Sequence, residues 1–164
     1  MKRAETRIVV DTCVWLDMYL GMRDGSTAAR LFFDCALEQD VTLLYSINTV
    51  KNLQFLIARI VKSLEKKASG AITKSAAQAA NRTAWACVDH MADIATAVAC
   101  DAADIWMARK LQSVHADFED NLVVAAAHRT DARFLVTCDE KLLAHSPVAA
   151  KTPTQMTKLL QAGL

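Results

Sequence analysis

The stretch Arg7-Ile8-Val9-Val10-Asp11-Thr12 decides the fold. Three β-branched residues in a row, with no polar alternation, read as a short strand buried on both faces. The run stops at an aspartate. A second run, Phe134-Leu135-Val136-Thr137-Cys138-Asp139, has the same build and the same ending. Ligands of parallel α/β sheets bind in the crevice beyond the carboxyl ends of the strands. Two more acids, in Asp117-Phe118-Glu119-Asp120-Asn121-Leu122, lie about one helical turn apart. If Asp11, Asp117, Asp120 and Asp139 converge at one end of a sheet, they form an oxygen-rich pocket. Hard divalent cations such as magnesium are held that way, by one or two carboxylates and several waters.

Outward from these runs, helices and strands alternate. Residues 12–20 read as a short helix closed by Gly21, and Ser26-Thr27 as the N-cap of a second helix to about residue 38. Residues 41–45 form the second strand pattern. Ser46 is placed to cap a long helix whose apolar positions Val50, Leu53, Ile57, Ile60, Val61 and Leu64 recur at helical spacing. That helix breaks near Ser69-Gly70. Residues 71–94 are alanine-rich, which favours helix and suggests a helical insertion. Residues 95–99 form a weak third strand, 102–111 a helix capped by Asp101, and 117–128 another helix. After the strand at 134–137 come a short helix from Glu140, an extended piece at 148–151, and a last helix opened by Thr152-Pro153, where proline is tolerated. The expected architecture is a three-layer α/β/α fold with a central parallel sheet of four to five strands. The 164 residues are expected to form one domain, with no linker and no internal repeat.

The composition narrows the function. A net charge of +1 gives no global attraction to nucleic acid, so contact with a phosphate backbone has to use a local basic patch. The five cysteines are odd in number and show no C-x-x-C, which argues against a disulfide framework or a zinc knuckle. They read as reduced, mostly buried thiols. Met1-Lys2-Arg3-Ala4-Glu5-Thr6 is charged, but Asp11 interrupts any signal-type apolar core after it. No apolar run is long enough for a membrane helix. A soluble, cytoplasmic protein is expected. There is no G-x-G-x-x-G or Walker sequence, and Cys13 occupies the place where a haloacid-dehalogenase-like phosphatase needs a second aspartate.

At this point the chain resembles a PIN domain. The resemblance rests on Asp11-Thr12-Cys13-Val14-Trp15-Leu16-Asp17, on Asp117 to Leu122 with the alanine-rich 123–127 after it, on Leu135-Val136-Thr137-Cys138-Asp139, and on Thr152-Pro153 before the final helix. Each block is weak alone; the order and separations make them specific. The resemblance implies an endoribonuclease dependent on Mg2+ or Mn2+, with RNA as substrate. It further implies membership among the VapC-like toxins of toxin–antitoxin pairs, a small antitoxin protein as partner, and a homodimer. Asp11, Asp120 and Asp139 fall on the family's acidic positions, and Asp117 on a neighbouring one. Thr12 and Thr137 are placed to hold a carboxylate or a water from outside the metal's own ligands. One position departs. In Tyr45-Ser46-Ile47-Asn48-Thr49-Val50-Lys51-Asn52-Leu53, Asn52 stands where the family has a glutamate. An amide lacks the charge that hard cations answer to, although Asp117 is placed to supply it.

Plainer readings stand beside these. Asp11, Asp117 and Asp139 can each cap the helix that follows, and Asp120 suits a first helical turn. Glu119, Asp17 and Glu140 read as solvent-facing. His90, His115, His128 and His145 show no metal-ligand spacing and read as structural or exposed. Trp15, Trp85 and Trp106 read as core or interface packing before they read as RNA-stacking faces. Lys62, Lys66, Lys67, Lys74 and Arg82 read as a solvated helix end. The alternative function is a PIN-like module that binds RNA or protein with its catalysis weakened at Asn52. A small DNA-binding reading frame just upstream would favour the toxin.

Overall fold

The computed structural model describes residues 6–39 and 41–164; the reading of the charged N-terminal segment lies, for residues 1–5, outside them. The first strand, β1 (Thr6–Val10), holds the centre of a five-stranded, all-parallel sheet. Its partners are β2 (Val41–Ser46), β3 (Thr96–Val98), β4 (Phe134–Val136) and β5 (Ala150–Lys151), in the order β3-β2-β1-β4-β5. Ile8, Val9 and Val10 are fully buried, as the unbroken apolar run requires of a central parallel strand. The chain builds outward from β1 through β2 to β3, then returns to the other side of β1 for β4 and β5. The strand order therefore reverses between β1 and β4, and a crevice opens there at the carboxyl ends.

Alternation along the strands sorts the helices into two layers. Ile8, Val10, Leu43, Tyr45, Phe134 and Val136 face one core. It is completed by α1 (Thr12–Tyr19), α2 (Ser26–Leu37), α3 (Ile47–Ser69) and α8 (Pro153–Gln161). Val9, Leu44, Val98 and Leu135 face the other, against Val123, Val124, Ala126 and Ala127 of α6 (Phe118–Arg129) and Leu142 of α7 (Glu140–His145). The alanines of α6 let it lie close on the sheet. Trp15 anchors α1: it is fully buried, 4.5 Å from the Phe33 ring and edge-on to Tyr45. That anchor fixes the first turn of α1, and with it the residues just after β1. Its Nε1 finds no hydrogen-bond partner among the described residues.

The alanine-rich segment is α4 (Lys74–Ile94), joined to α3 across Gly70 to Thr73, so the two run antiparallel. Gly70 takes φ +79°, the left-handed geometry that ends a helix most easily at glycine. The weak third strand is present as β3. Asp101 caps α5 (Ala102–Lys110) in a capping box with Asp104, and Thr152 caps α8 in one with Gln155.

Several expectations are corrected. The N-cap of α2 is Gly25, not Ser26 or Thr27, and Ser46 caps α3 without a side-chain bond. Trp85 and Trp106 are exposed, so core packing holds for Trp15 alone. Of the five free thiols only Cys35 is buried; Cys13, Cys87 and Cys100 are partly so and Cys138 is exposed. Asp17 is buried rather than solvent-facing: its carboxylate pairs with the Arg23 guanidinium and accepts from Cys138 Sγ at 3.4 Å. Charge pairing is what makes such burial tolerable.

Gly25 presses against that carboxylate. A Cβ there would lie 2.0 Å from Asp17 Oδ2. Gly25→Ala is expected to cost about 1–3 kcal/mol by overpacking, read as a lower urea midpoint with an unchanged slope.

Candidate functional site

At the reversal between β1 and β4 the two sequence runs end side by side. Asp11 N–H donates to the Val136 carbonyl at 3.0 Å, extending the ladder one residue past β1. Its side chain then turns into the crevice, 4% exposed. Oδ1 accepts from Thr12 N–H at 2.6 Å, which caps α1. Oδ2 accepts from Thr137 Oγ1 at 2.7 Å and from Cys13 Sγ at 3.4 Å. Thr137 Oγ1 also accepts from Asp139 N–H at 3.0 Å, so one hydroxyl fixes both aspartates. Thr12 Oγ1 reaches Thr49 Oγ1 at 3.5 Å, tying α1 to α3.

The other acids arrive from helix starts. Asp117 caps α6, accepting from Glu119 N–H at 2.8 Å. Asp139 caps α7 through Oδ1, which accepts from Lys141 and Leu142 N–H at 2.8 and 2.9 Å. The capping reading and the clustering reading are thus both true. Caps use one oxygen of each carboxylate and point the group at a helix start, and these helix starts meet at the same sheet end. Asp11, Asp117, Glu119, Asp120 and Asp139 line one cleft of about 380 Å3, with Thr12, Cys13, Asn48, Asn52 and Cys138 beside them; no lysine or arginine is among the lining residues.

Two residues take places that the sequence did not signal. His115, expected to be structural or exposed, stands between two of the acids, with Nδ1 3.1 Å from Asp120 Oδ2 and Nε2 3.5 Å from Asp139 Oδ2. Asp117 N–H donates to Nδ1 at 2.9 Å, and the buried Asn121 donates to the His115 carbonyl at 2.7 Å, which fixes the loop. Glu119, though exposed, does not simply face solvent: Asn52 Nδ2 donates to its Oε2 at 2.6 Å. The contact with Asn52 is made by Glu119, not by Asp117. Neither residue belongs to a spacing that marks metal ligands. The only local hint was that His115 lies two residues before a capping aspartate. Asn48 Nδ2, in the same wall, is buried with no partner among the described residues.

Burial, and behind it the crowding of like charge, shows in the proton affinities of Asp11 and Asp120. Burial, opposed by the bonds from Thr137, Cys13 and Thr12, leaves Asp11 raised above the ordinary carboxylate value. Burial and then the Asp11 charge push Asp120 up to about 6, with His115 pulling the other way. Asp139 is held below its ordinary value. Its burial works in the opposite direction, but the Leu142 N–H, the His115 ring and the Lys141 N–H outweigh it. The Cys138 thiol, in hydrogen-bond contact with Cys13, joins with burial to push the Cys13 thiol far up.

A hard divalent cation suits a donor set of carboxylate and amide oxygen with no lysine or arginine among the lining residues. The geometry is open. Among the described residues no three His, Cys, Asp or Glu side chains already surround one point that could hold an ion.

The family model for the PIN domain matches residues 7–141. The chain belongs to the PIN domain family. Among solved structures it is similar to VapBC2 from Rickettsia felis, crystallised bound to a DNA fragment from their promoter, with 12% identity, a TM-score of 0.63 and coverage of 90% of this chain and 98% of that one. It is also similar to VapC20 of Mycobacterium tuberculosis, a Sarcin-Ricin loop cleaving toxin, with 14% identity, a TM-score of 0.64 and coverage of 87% and 97%. At such identities the likeness is one of fold. No curated protein matches the chain.

A carboxyl whose proton affinity is raised by folding costs stability above its unfolded value. The cost grows between 3.8 and about 6 for Asp120 and is then constant. In chelator-treated protein, Asp120→Asn is therefore expected to gain on the order of 1–3 kcal/mol at neutral pH. The gain should vanish as the pH falls through 3.8, which a series of urea melts against pH would read.

Proposed function

We propose that this chain is a divalent-metal-dependent endoribonuclease, using Mg2+ or Mn2+, and the toxin of a toxin–antitoxin pair. One observation carries the reading. Five carboxylates line a single cleft at the strand-order reversal, with no basic side chain among the lining residues. Membership of the PIN domain family and the fold shared with VapC proteins support it. In this reading the whole chain is one PIN domain, acts as a homodimer, and is restrained by a small antitoxin protein.

A bound divalent cation would supply a hydrolytic water of lowered proton affinity and charge to offset the phosphate. Asp11, deepest and most rigidly held, is its central ligand in this reading, with Asp120 and Asp139 alongside and Asp117 reached directly or through water. The protein's own contribution is positioning. Thr137 orients Asp11 and, through the Asp139 backbone, the second acid. Thr12 N–H holds the other Asp11 oxygen, so that carboxylate cannot rotate away. The His115 ring, its Nδ1 accepting from Asp117 N–H, stands between Asp120 and Asp139 and spaces them. Without a cation the same carboxylates repel an RNA phosphate, so substrate approach and metal occupancy are coupled.

The weakened-module alternative rests on Asn52. Its amide donates to Glu119 and so keeps a fifth carboxylate at the cleft, an arrangement that favours the active reading. The test is cleavage of structured and single-stranded RNA with Mg2+ or Mn2+. Cleavage is expected to stop with EDTA and to fall more than about a hundredfold in Asp11→Asn, since partners outside the metal's own ligands alone are worth about 10–100-fold. Activity that survives in folded Asp11→Asn would overturn the proposal.

A further inference from the structure

The cleft wall holds a feature that phosphodiester hydrolysis does not use. Cys13, in the first turn of α1, and Cys138, in the loop between β4 and α7, sit against each other although 125 residues separate them in sequence. Cys138 N–H donates to Cys13 Sγ at 3.1 Å. The exposed Cys138 thiol is in hydrogen-bond contact with that of Cys13. It also reaches Asp17 Oδ2, 3.4 Å away. Cys13 Sγ lies 3.4 Å from Asp11 Oδ2 and 3.7 Å from Thr137 Oγ1.

We propose that Cys13 and Cys138 are a reversible disulfide site in the wall of the acidic cleft, oxidised by exchange with a small disulfide such as oxidised glutathione. The exposed Cys138 sulfur attacks one sulfur of the small disulfide, breaking its S–S bond, losing its own proton to water and releasing one small thiol. Cys13 then attacks the Cys138 sulfur of the mixed disulfide, breaking its S–S bond, and its proton passes to the second small thiolate as that leaves. Two protein thiols lose two electrons and two protons, and one small disulfide becomes two thiols. A disulfide needs its sulfurs about 2.05 Å apart. Closing to that distance takes the Cys13 donor from Asp11 and draws Cys138, which lies between Thr137 and Asp139, toward α1. Oxidation therefore shifts Asp11 and Asp139 relative to each other. This consequence rests on the metal-site reading above; the disulfide itself does not.

The experiment treats the full chain with oxidised glutathione and maps peptides by mass spectrometry. In parallel it titrates Mn2+ into the reduced and oxidised forms. A Cys13–Cys138 cross-link that dithiothreitol reverses is expected, with Cys35, Cys87 and Cys100 unlinked and the cross-link absent from Cys138→Ser. Cys138 is exposed and serine keeps a donor for Asp17, so that variant is expected to fold, which its circular dichroism checks. Mn2+ affinity is expected to fall about tenfold or more on oxidation. Glutathione that stays on Cys138 unresolved, or two untouched thiols, would overturn the disulfide. A cross-link with unchanged Mn2+ affinity would overturn its control of the site. If the reduced chain binds no Mn2+ at all, the metal-site reading and that control fail together, and the peptide map still decides the disulfide.

Discussion

The hydrogen bond from Thr137 Oγ1 to Asp11 Oδ2, 2.7 Å long and buried, joins the ends of two neighbouring strands whose following segments depart in different directions. β1 and β4 pair directly, but the chain reaches β4 only after building the other side of the sheet. Past the bond from Asp11 N–H to the Val136 carbonyl, no ladder bond among the described residues holds the two exits together. Thr137 does so, accepting from Asp139 N–H while donating to Asp11. α1, packed by Trp15, and α7, packed by Leu142, take their starting positions from that junction.

The same junction collects negative charge, with Asp11 buried and the other acids open to solvent to different degrees. A buried carboxylate is costly unless it is hydrogen-bonded or paired. The chain meets that cost locally: Asp11, Asp117 and Asp139 each accept from backbone N–H groups at helix starts, whose dipoles favour negative charge. Asp120 has no such cap, and burial first, then the Asp11 charge, push it up to about 6. The His115 ring is set between the acids it touches. Asp120 costs stability at this sheet end, a cost of the kind that functional sites commonly carry.

Much of this could be read from the residues. The buried central strand, the two strand-ending aspartates and the helix at 118–129 follow from short-range patterns, and even the three-residue β3 left a trace at 96–98. The four aspartates do share one cleft. What escaped the sequence depends on contacts between distant segments. Asp17 looks like a surface acid on its own helix and is buried only because Arg23 folds back on it. His115 carries no spacing signal, because its partners are Asp120 on α6 and Asp139 before α7. The Asn52–Glu119 bond joins α3 to α6 across 67 positions. The N-cap of α2 was missed because Gly25 is there for its lack of a side chain beside Asp17, not for a capping oxygen.

The central claim is that these carboxylates are held together to take up a hard cation. The most direct measurement is the unfolding temperature of chelator-treated protein as Mn2+ is added back, with potassium as the control for ionic strength. A ligand that binds only the folded state stabilises it by about 2.7 kcal/mol at a hundred times its dissociation constant. The account predicts a saturable rise of several degrees with Mn2+ that potassium does not reproduce. An unfolding temperature that follows ionic strength alone, whichever cation supplies it, would contradict the account.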